Sequence, residues 1–450
     1  MWNLWRWAVC GLLCMALPVW GQRDASVFKG KPWERIEQQR DEIENTILSG
    51  DVGSGYVLSA SHLFEWKNTP AFQDIVTSVY RGYGGIPLAE EEQLLSFLKS
   101  ELESKPLGVG WLECGLLAMA AMKPEEALPA FKQASQDSIC CQVPLTYALL
   151  GQALTYTGNI SEATRAFQAA VKAASTEQVL QFQMRSLFAD TMHDQGKVAE
   201  WQNAVEECCN STYPLECAWG LQQEAQNAWY HKDRLGFETF TNLALAQMSI
   251  YGASPSWQWS WEQGRWNRTT RHLGYAEAAL KGSTDAAMIL DYESAVLDSN
   301  RGDLESAMKW IEKWPARYDL REINQWDEVR QLWVQRVYVG YYLFLSRMGR
   351  VDEGVAGIEA MIPFARDTKH EKFTTTLYCQ LGYALMQGGR LKEAKEAFEI
   401  GLALLDVPGE MVDPALAYQP KGRIDKHDRV AFVANYRDLL NYFNQMGGEQ

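Results

Sequence analysis

The sequence lacks the short motifs that carry catalytic chemistry. It has no HExxH, no GxSxG elbow, no phosphate-binding P-loop and no dinucleotide fingerprint. It also lacks CxxC, which excludes a thioredoxin-like redox pair and a c-type haem attachment. The six histidines (His62, His193, His231, His272, His370 and His427) never fall at metal-ligand spacing. Acids are plentiful, but no pair stands out from ordinary helix surface. The chain is therefore read as not an enzyme, with no catalytic residue, no metal site and no cofactor expected. There is no basic run, and the formal charge is −15, so nucleic acid and anionic lipid are repelled. Beyond residue 21 no stretch is apolar enough to cross a bilayer.

What is present begins with an export signal. Arg6 supplies the positive end, Trp7 to Leu17 is an apolar run, and Pro18 breaks it. Val19-Trp20-Gly21 then offers a cleavage site before Gln22. Residues 1–21 are read as a signal peptide, and the expected location is periplasmic or extracellular. Removing them deletes Arg6 and no acid, so the mature charge is −16. Seven cysteines then remain: Cys114, Cys140, Cys141, Cys208, Cys209, Cys217 and Cys379. Cys114 and Cys379 sit on apolar helix faces and read as buried thiols. Cys208 or Cys209 with Cys217 spans a short inter-helix loop and is a candidate disulfide.

One segment type recurs. Gly158 leads to Ala163 and Phe167, Gly196 to Trp201 and Val205, and Gly302 to Ala307 and Ile311. Gly349 leads likewise to Gly354 and Ile358, and Gly389 to Ala394 and Phe398. Met122 leading to Ala127 and Phe131 is the same frame without the glycine. The glycine ends one helix in a left-handed conformation that other residues adopt only under strain. The small residue lies where two helices cross, and the bulky one follows a turn later on the same face. Asn159 and Glu162 also have the spacing of a capping box. Upstream of each glycine stands an apolar helix rich in small residues: Tyr147, Leu150, Gly151 and Leu154 before Gly158, and Tyr378, Leu381, Gly382 and Leu385 before Gly389.

Two helices, a repeat of about 34 residues and these anchor types resemble the tetratricopeptide repeat family. The likeness is close at residues 108–141, 144–177 and 375–408, fair at 288–321 and 335–368, and weaker at 182–215. It implies an all-α fold, a right-handed superhelical solenoid of helical hairpins. Residues 22–105 read as a divergent N-terminal helical region, with Thr69-Pro70 as one helix start and Pro87 to Glu103 as an amphipathic stretch. The array spans 106–408, a loop 409–426, and a C-terminal capping helix 427–450.

The resemblance also implies a binding groove lined by the first helix of each hairpin. Its frame places Asp190, His193, Tyr251, Gln258, Trp261, Glu262, Tyr292 and Arg347 at groove positions of the central units. The register between 218 and 287 is open by a residue or two. The expected function is an exported scaffold for protein–protein interaction in the bacterial cell envelope, taking a protein or extended peptide segment. The alternative is a glycan- or peptidoglycan-binding module that uses the run Trp257, Trp259, Trp261 and Trp266 as an aromatic platform.

Overall fold

The structure, a computed structural model, describes residues 31–406 apart from 49–51, 85–87, 254–259, 367–371 and positions 68, 70, 105, 122, 175 and 176. The expected signal peptide, the 409–426 loop and the capping helix lie outside the described residues. Every regular element among the described residues is helical. In chain order these are α1 (Lys31–Leu48), α2 (Val52–Trp66), α3 (Ala71–Gly84), α4 (Leu88–Ser104), α5 (Gly108–Ala120), α6 (Pro124–Gln136), α7 (Pro144–Tyr156), α8 (Ile160–Ala173), α9 (Gln178–Asp194) and α10 (Val198–Cys209). There follow α11 (Pro214–Tyr230), α12 (Arg234–Ala253), α13 (Ser260–Leu280), α14 (Thr284–Arg301), α15 (Leu304–Ile311), α16 (Glu328–Arg347), α17 (Val351–Arg366), α18 (Lys372–Gln387) and α19 (Leu391–Asp406). They fall into two compact units: residues 31–228 with 233–274, and residues 229–232 with 275–406.

The glycine frame is the joint of each hairpin. Gly158, Gly196, Gly302, Gly349 and Gly389 have φ of +83, +64, +87, +88 and +69°. Two further joints place the register that the sequence left open: Gly282 at +88° and Lys232 at +59°. At each joint a backbone N–H reaches five residues back to cap the helix end. Asn159 bonds Leu154 at 2.8 Å, Lys197 bonds Met192 at 2.8 Å, and Asp233 bonds Ala228 at 2.9 Å. Ser283 to Ala278, Asp303 to Asp298, Arg350 to Leu345 and Arg390 to Leu385 repeat it at 2.9 to 3.0 Å. Lys123 to Ala118 closes the glycine-free joint at 2.8 Å.

The expected capping box at Asn159 does not form. The Asn159 backbone is committed to the closing bond, and its side-chain amide donates to Thr157 Oγ1 at 3.0 Å. Thr69 likewise gives its hydroxyl to Trp66 O at 2.9 Å instead of capping α3. Side-chain caps do occur at Ser283, Asp303 and Asp327.

Packing inside the hairpins follows a volume rule. A Cβ added to Gly115 would stand 2.4 Å from the Phe131 ring, at Gly151 2.7 Å from Phe167, and at Gly382 2.2 Å from Phe398. Each glycine lies sixteen positions before its phenylalanine, and the ring fills the missing side-chain volume. At the same two positions α9/α10 carries Ala189 and Val205, and α14/α15 carries Ala295 and Ile311, all four fully buried or nearly so. In α16/α17 the exchange is inverted. Tyr342 takes the small site, and its ring lies 2.1 Å from where a Gly357 Cβ would be. A larger side chain on one helix is thus matched by a smaller one on the other, as close packing requires.

Within each unit neighbouring hairpins pack together. In the first unit α7 touches both α6 and α9, and α8 touches α9. In the second, α17 touches α18 and α16 touches α14. The divergent start joins the same core through α1 on α3 and α3 on α5, burying Ile36, Ile43, Phe72, Ile75 and Tyr83.

Candidate functional site

The structure separates the residues expected in the groove. Gln258 lies outside the described residues. Asp190, His193, Tyr251, Trp261 and Glu262 belong to the first unit, Tyr292 and Arg347 to the second. Relative exposures are 4% for Tyr251, 9% for Trp261, 1% for Glu262 and 5% for Tyr292. These four are interior residues, because their inward faces are already covered by the chain itself. Their reading as presented anchors is corrected on that ground. His193 is half-buried against Trp201, with ring centroids 5.8 Å apart.

In the first unit the expected residues meet around α13. Tyr251 Oη donates to Glu262 Oε1 at 2.6 Å, and Tyr213 Oη donates to the same oxygen. Burial, then the neighbouring carboxylate, pushes the Tyr213 phenol far up. Burial and the hydrogen bond to Glu262 do the same for Tyr251. Both phenols are fixed as donors. The Trp261 ring packs edge-on against Phe182 at 5.0 Å. Arg265 bonds Asp190 at 2.6 Å and lies 5.7 Å over the Trp219 ring. Arg268 follows one turn later, its guanidinium lowered to about 10 by burial and then by Arg265.

In the second unit Tyr292 packs edge-on against Trp333 at 5.9 Å and lies against Gly340, where an added Cβ would be 3.0 Å from its ring. Arg347 donates to the Ser299 hydroxyl and, at 3.4 Å, to its carbonyl. Burial lowers its guanidinium to about 10. Sequence reasoning missed the acids of α14. Asp291 and Asp298, two turns apart on one face, are buried. Asp291 accepts from Trp314 Nε1 at 2.9 Å, Lys313 Nζ at 2.7 Å and Trp229 Nε1 at 3.4 Å. Asp298 accepts from Trp310 Nε1 at 3.1 Å. Indole N–H groups thus donate to carboxylates that burial raises toward the neutral form. The available signal was the high tryptophan content beside acids spaced by seven.

An open surface does exist in the first unit. A cleft of about 850 Å³ runs between α8, α9 and α10 and ends at the loop before α11. Phe167, Val171 and Phe188 form its floor, and Gln168, Gln181, Asn203 and Glu200 its walls. At one end Arg185 bonds buried Glu216 at 2.8 Å and Gln181 at 3.1 Å. Ser211 donates to the other oxygen of Glu216. The candidate disulfide beside it is not made. None of the seven described cysteines is in a disulfide, and Cys217 Sγ donates to the Cys209 carbonyl at 3.1 Å. Burial pushes the Cys209 thiol up to about 12 and Cys114 up to about 11, which makes both poor nucleophiles.

Left-handed joints, five-residue closing bonds and glycine–phenylalanine interlocks define the class: an all-α array of stacked helical hairpins. The tetratricopeptide repeat profile matches residues 375–402, the hairpin α18/α19. Residues 375–402 therefore form one tetratricopeptide repeat, and the other hairpins share its left-handed joint and closing bond. Among solved structures it is similar to a monomeric mutant of IFIT1 with Gppp-AAAA, at 13% identity and a TM-score of 0.27, covering 78% of this chain and 80% of that one. It is also similar to Naa15/Naa10 bound to HypK-THB, at 13% identity and a TM-score of 0.19, covering 79% of this chain and 64% of that one. No curated protein matches.

Proposed function

We propose that this chain is an exported scaffold of the bacterial cell envelope that binds a protein or an extended peptide segment and performs no chemistry itself. The observation that supports the reading most is the polar cleft between α8, α9 and α10. Its amide and carboxylate walls contribute nothing to a core, while its aromatic floor offers contact area. Such a mixture suits a peptide main chain, which needs hydrogen-bond partners at its amides and apolar contact for its side chains. The sugar-platform reading loses Trp261, whose ring is covered by Phe182 and Arg265. Trp259 lies outside the described residues. Among the described residues no helix is long and apolar enough to cross a membrane.

Affinity capture from an envelope fraction tests the reading. The bait is the mature chain, compared with an Asn203→Arg variant that fills the cleft wall. Partners should fall by roughly tenfold with the variant, the loss of one well-placed contact region. Equal capture by both baits would reject the cleft as the docking surface. Mass spectrometry of the native protein should find its N-terminus at or near Gln22. Intact Met1-bearing protein in the cytosol would reject export.

A further inference from the structure

The first turns of α13 cover the face of α9 that the repeat frame assigns to the groove. Measured back from its joint, α9 begins at 178 against Gly196 and α11 at 214 against Lys232, eighteen residues each. Helix α13 begins at 260 against Gly282, twenty-two residues back. The added turn carries Trp261 and Glu262. Arg265, just behind it, reaches Asp190 across 75 residues of sequence at 2.6 Å. Trp261 meets Phe182, eight residues before Asp190 on α9. Trp219 of α11 lies 5.9 Å from Phe182 and beneath Arg265. An arginine on a carboxylate and a tryptophan in an aromatic cluster are the contacts by which a bound ligand anchors itself.

The covering is imperfect. Gln263 Oε1, Arg265 Nε and Thr269 Oγ1 are buried without a hydrogen-bond partner among the described residues. A buried donor or acceptor left unmade opposes the state that buries it. Arg265, which meets α9, belongs to α13, so the cost at its Nε is borne by the occupant. Asp190 remains nearly half exposed, so the ion pair that holds the occupant is open to water and screened by salt.

We infer that the first turns of α13 are a resident ligand of the α9/α11 face, and that the external ligand of that face is a partner helix carrying an aromatic residue and an arginine four positions apart. Such a helix would place its ring on Phe182 and Trp219 and its guanidinium on Asp190, displacing Trp261 and Arg265. This goes beyond the cleft reading: it names a second surface, the chemistry it takes and the internal segment that competes for it. Apparent affinity at the face is reduced by the fraction of molecules in which α13 is seated.

The probe is a fluorescein-labelled peptide of residues 260–274 of this chain, titrated by fluorescence anisotropy into the mature protein. Wild type should bind it weakly. Trp261→Ala/Arg265→Ala, which weakens the seated helix, should bind it at least about tenfold more tightly. Adding Asp190→Asn to that variant should remove most of the gain. A folded double variant that binds no better than wild type, or a gain indifferent to Asp190→Asn, overturns the inference. Should the double variant fail to fold, hydrogen exchange on wild type decides. Amides 261–267 should exchange at least about tenfold faster than 182–191 of α9. Equal protection overturns the inference. Peptide binding with no partner capture rejects the scaffold function alone, and capture without peptide binding rejects the resident helix alone.

Discussion

Gly382 offers the sharpest test of what holds a hairpin together. Its absent side chain leaves room for Phe398 of α19, which is fully buried. A Cβ there would stand 2.2, 2.5 and 2.6 Å from three atoms of that ring, where ordinary contact is 3.4–4 Å. Relief requires the ring to move by roughly an ångström inside a core packed to crystal density. Overpacking costs about 1–3 kcal/mol, and overlap with three ring carbons at once puts Gly382→Ala near the upper end. Helix propensity works the other way by about 1 kcal/mol in favour of alanine. The net expectation is a loss of about 2 kcal/mol. Phe398→Val alone opens a cavity and should cost about 2–3 kcal/mol, less than truncation to alanine. The double variant recreates the alanine–valine pairing that the chain uses at Ala189 and Val205. The two losses should therefore fall short of additive by about 1–2 kcal/mol. The assay is urea unfolding by circular dichroism, joined to hydrogen exchange in α18 and α19, because stacked repeats open locally. A stabilised Gly382→Ala, or strictly additive losses, would refute the interlock.

Glu113 is buried beneath Tyr83, and burial raises its carboxyl well above the ordinary glutamate value, with the Tyr83 hydrogen bond opposing. The folded state then holds a proton that the unfolded state releases. Its contribution is fully present below the unfolded pKa of about 4.3 and fades as pH rises toward the folded value. Wild type should lose urea midpoint between pH 4 and 8, and Glu113→Gln should flatten that slope; parallel slopes would reject the assignment. Arg185→Ala strands Glu216, which is 1% exposed. Since Arg185 itself is partly open to water, the loss should be about 2–3 kcal/mol rather than the full cost of a dry pair, measured by urea titration. Trp314→Phe keeps an aromatic side chain but shrinks it at a buried site and removes the 2.9 Å donor to Asp291, and should lower stability by about 2–3 kcal/mol. Trp314→Phe with Asp291→Asn should restore part of it, and no restoration would place the loss in packing instead.

The hairpins could be read from sequence because their determinants are local. Gly158, Gly196, Gly302, Gly349 and Gly389 each mark a backbone state that glycine adopts most readily, and the bulky residue nine later marks the interior face. Where the mark was missing the reading weakened. Lys232 adopts the same left-handed state at +59°, and nothing in a lysine announces it. The register there could only come from the fold. The Asn159 capping box failed for the opposite reason. The pattern was present, but the joint had already claimed its backbone N–H.

The candidate site was harder, because what covers a helix face is set by residues far away in the chain. Helical periodicity assigns Asp190 to the groove face of α9. It did not reveal that Arg265, 75 residues on, is what meets it. The same holds for Tyr251 and Glu262. Each reads as a polar group on an inward face, and polar groups facing inward suggest a ligand. Here they face one another, and a phenol bonded to a carboxylate needs no third party. Asp291 and Asp298 carry the argument to its other side. As sequence they are surface acids on a helix in an acidic protein, and only the tertiary approach of indole N–H groups shows them to be interior. A polar residue in a repeat frame therefore has two readings that periodicity cannot separate: a contact reserved for a partner, or one already made within the chain. For α9 the choice turns on whether α13 can leave.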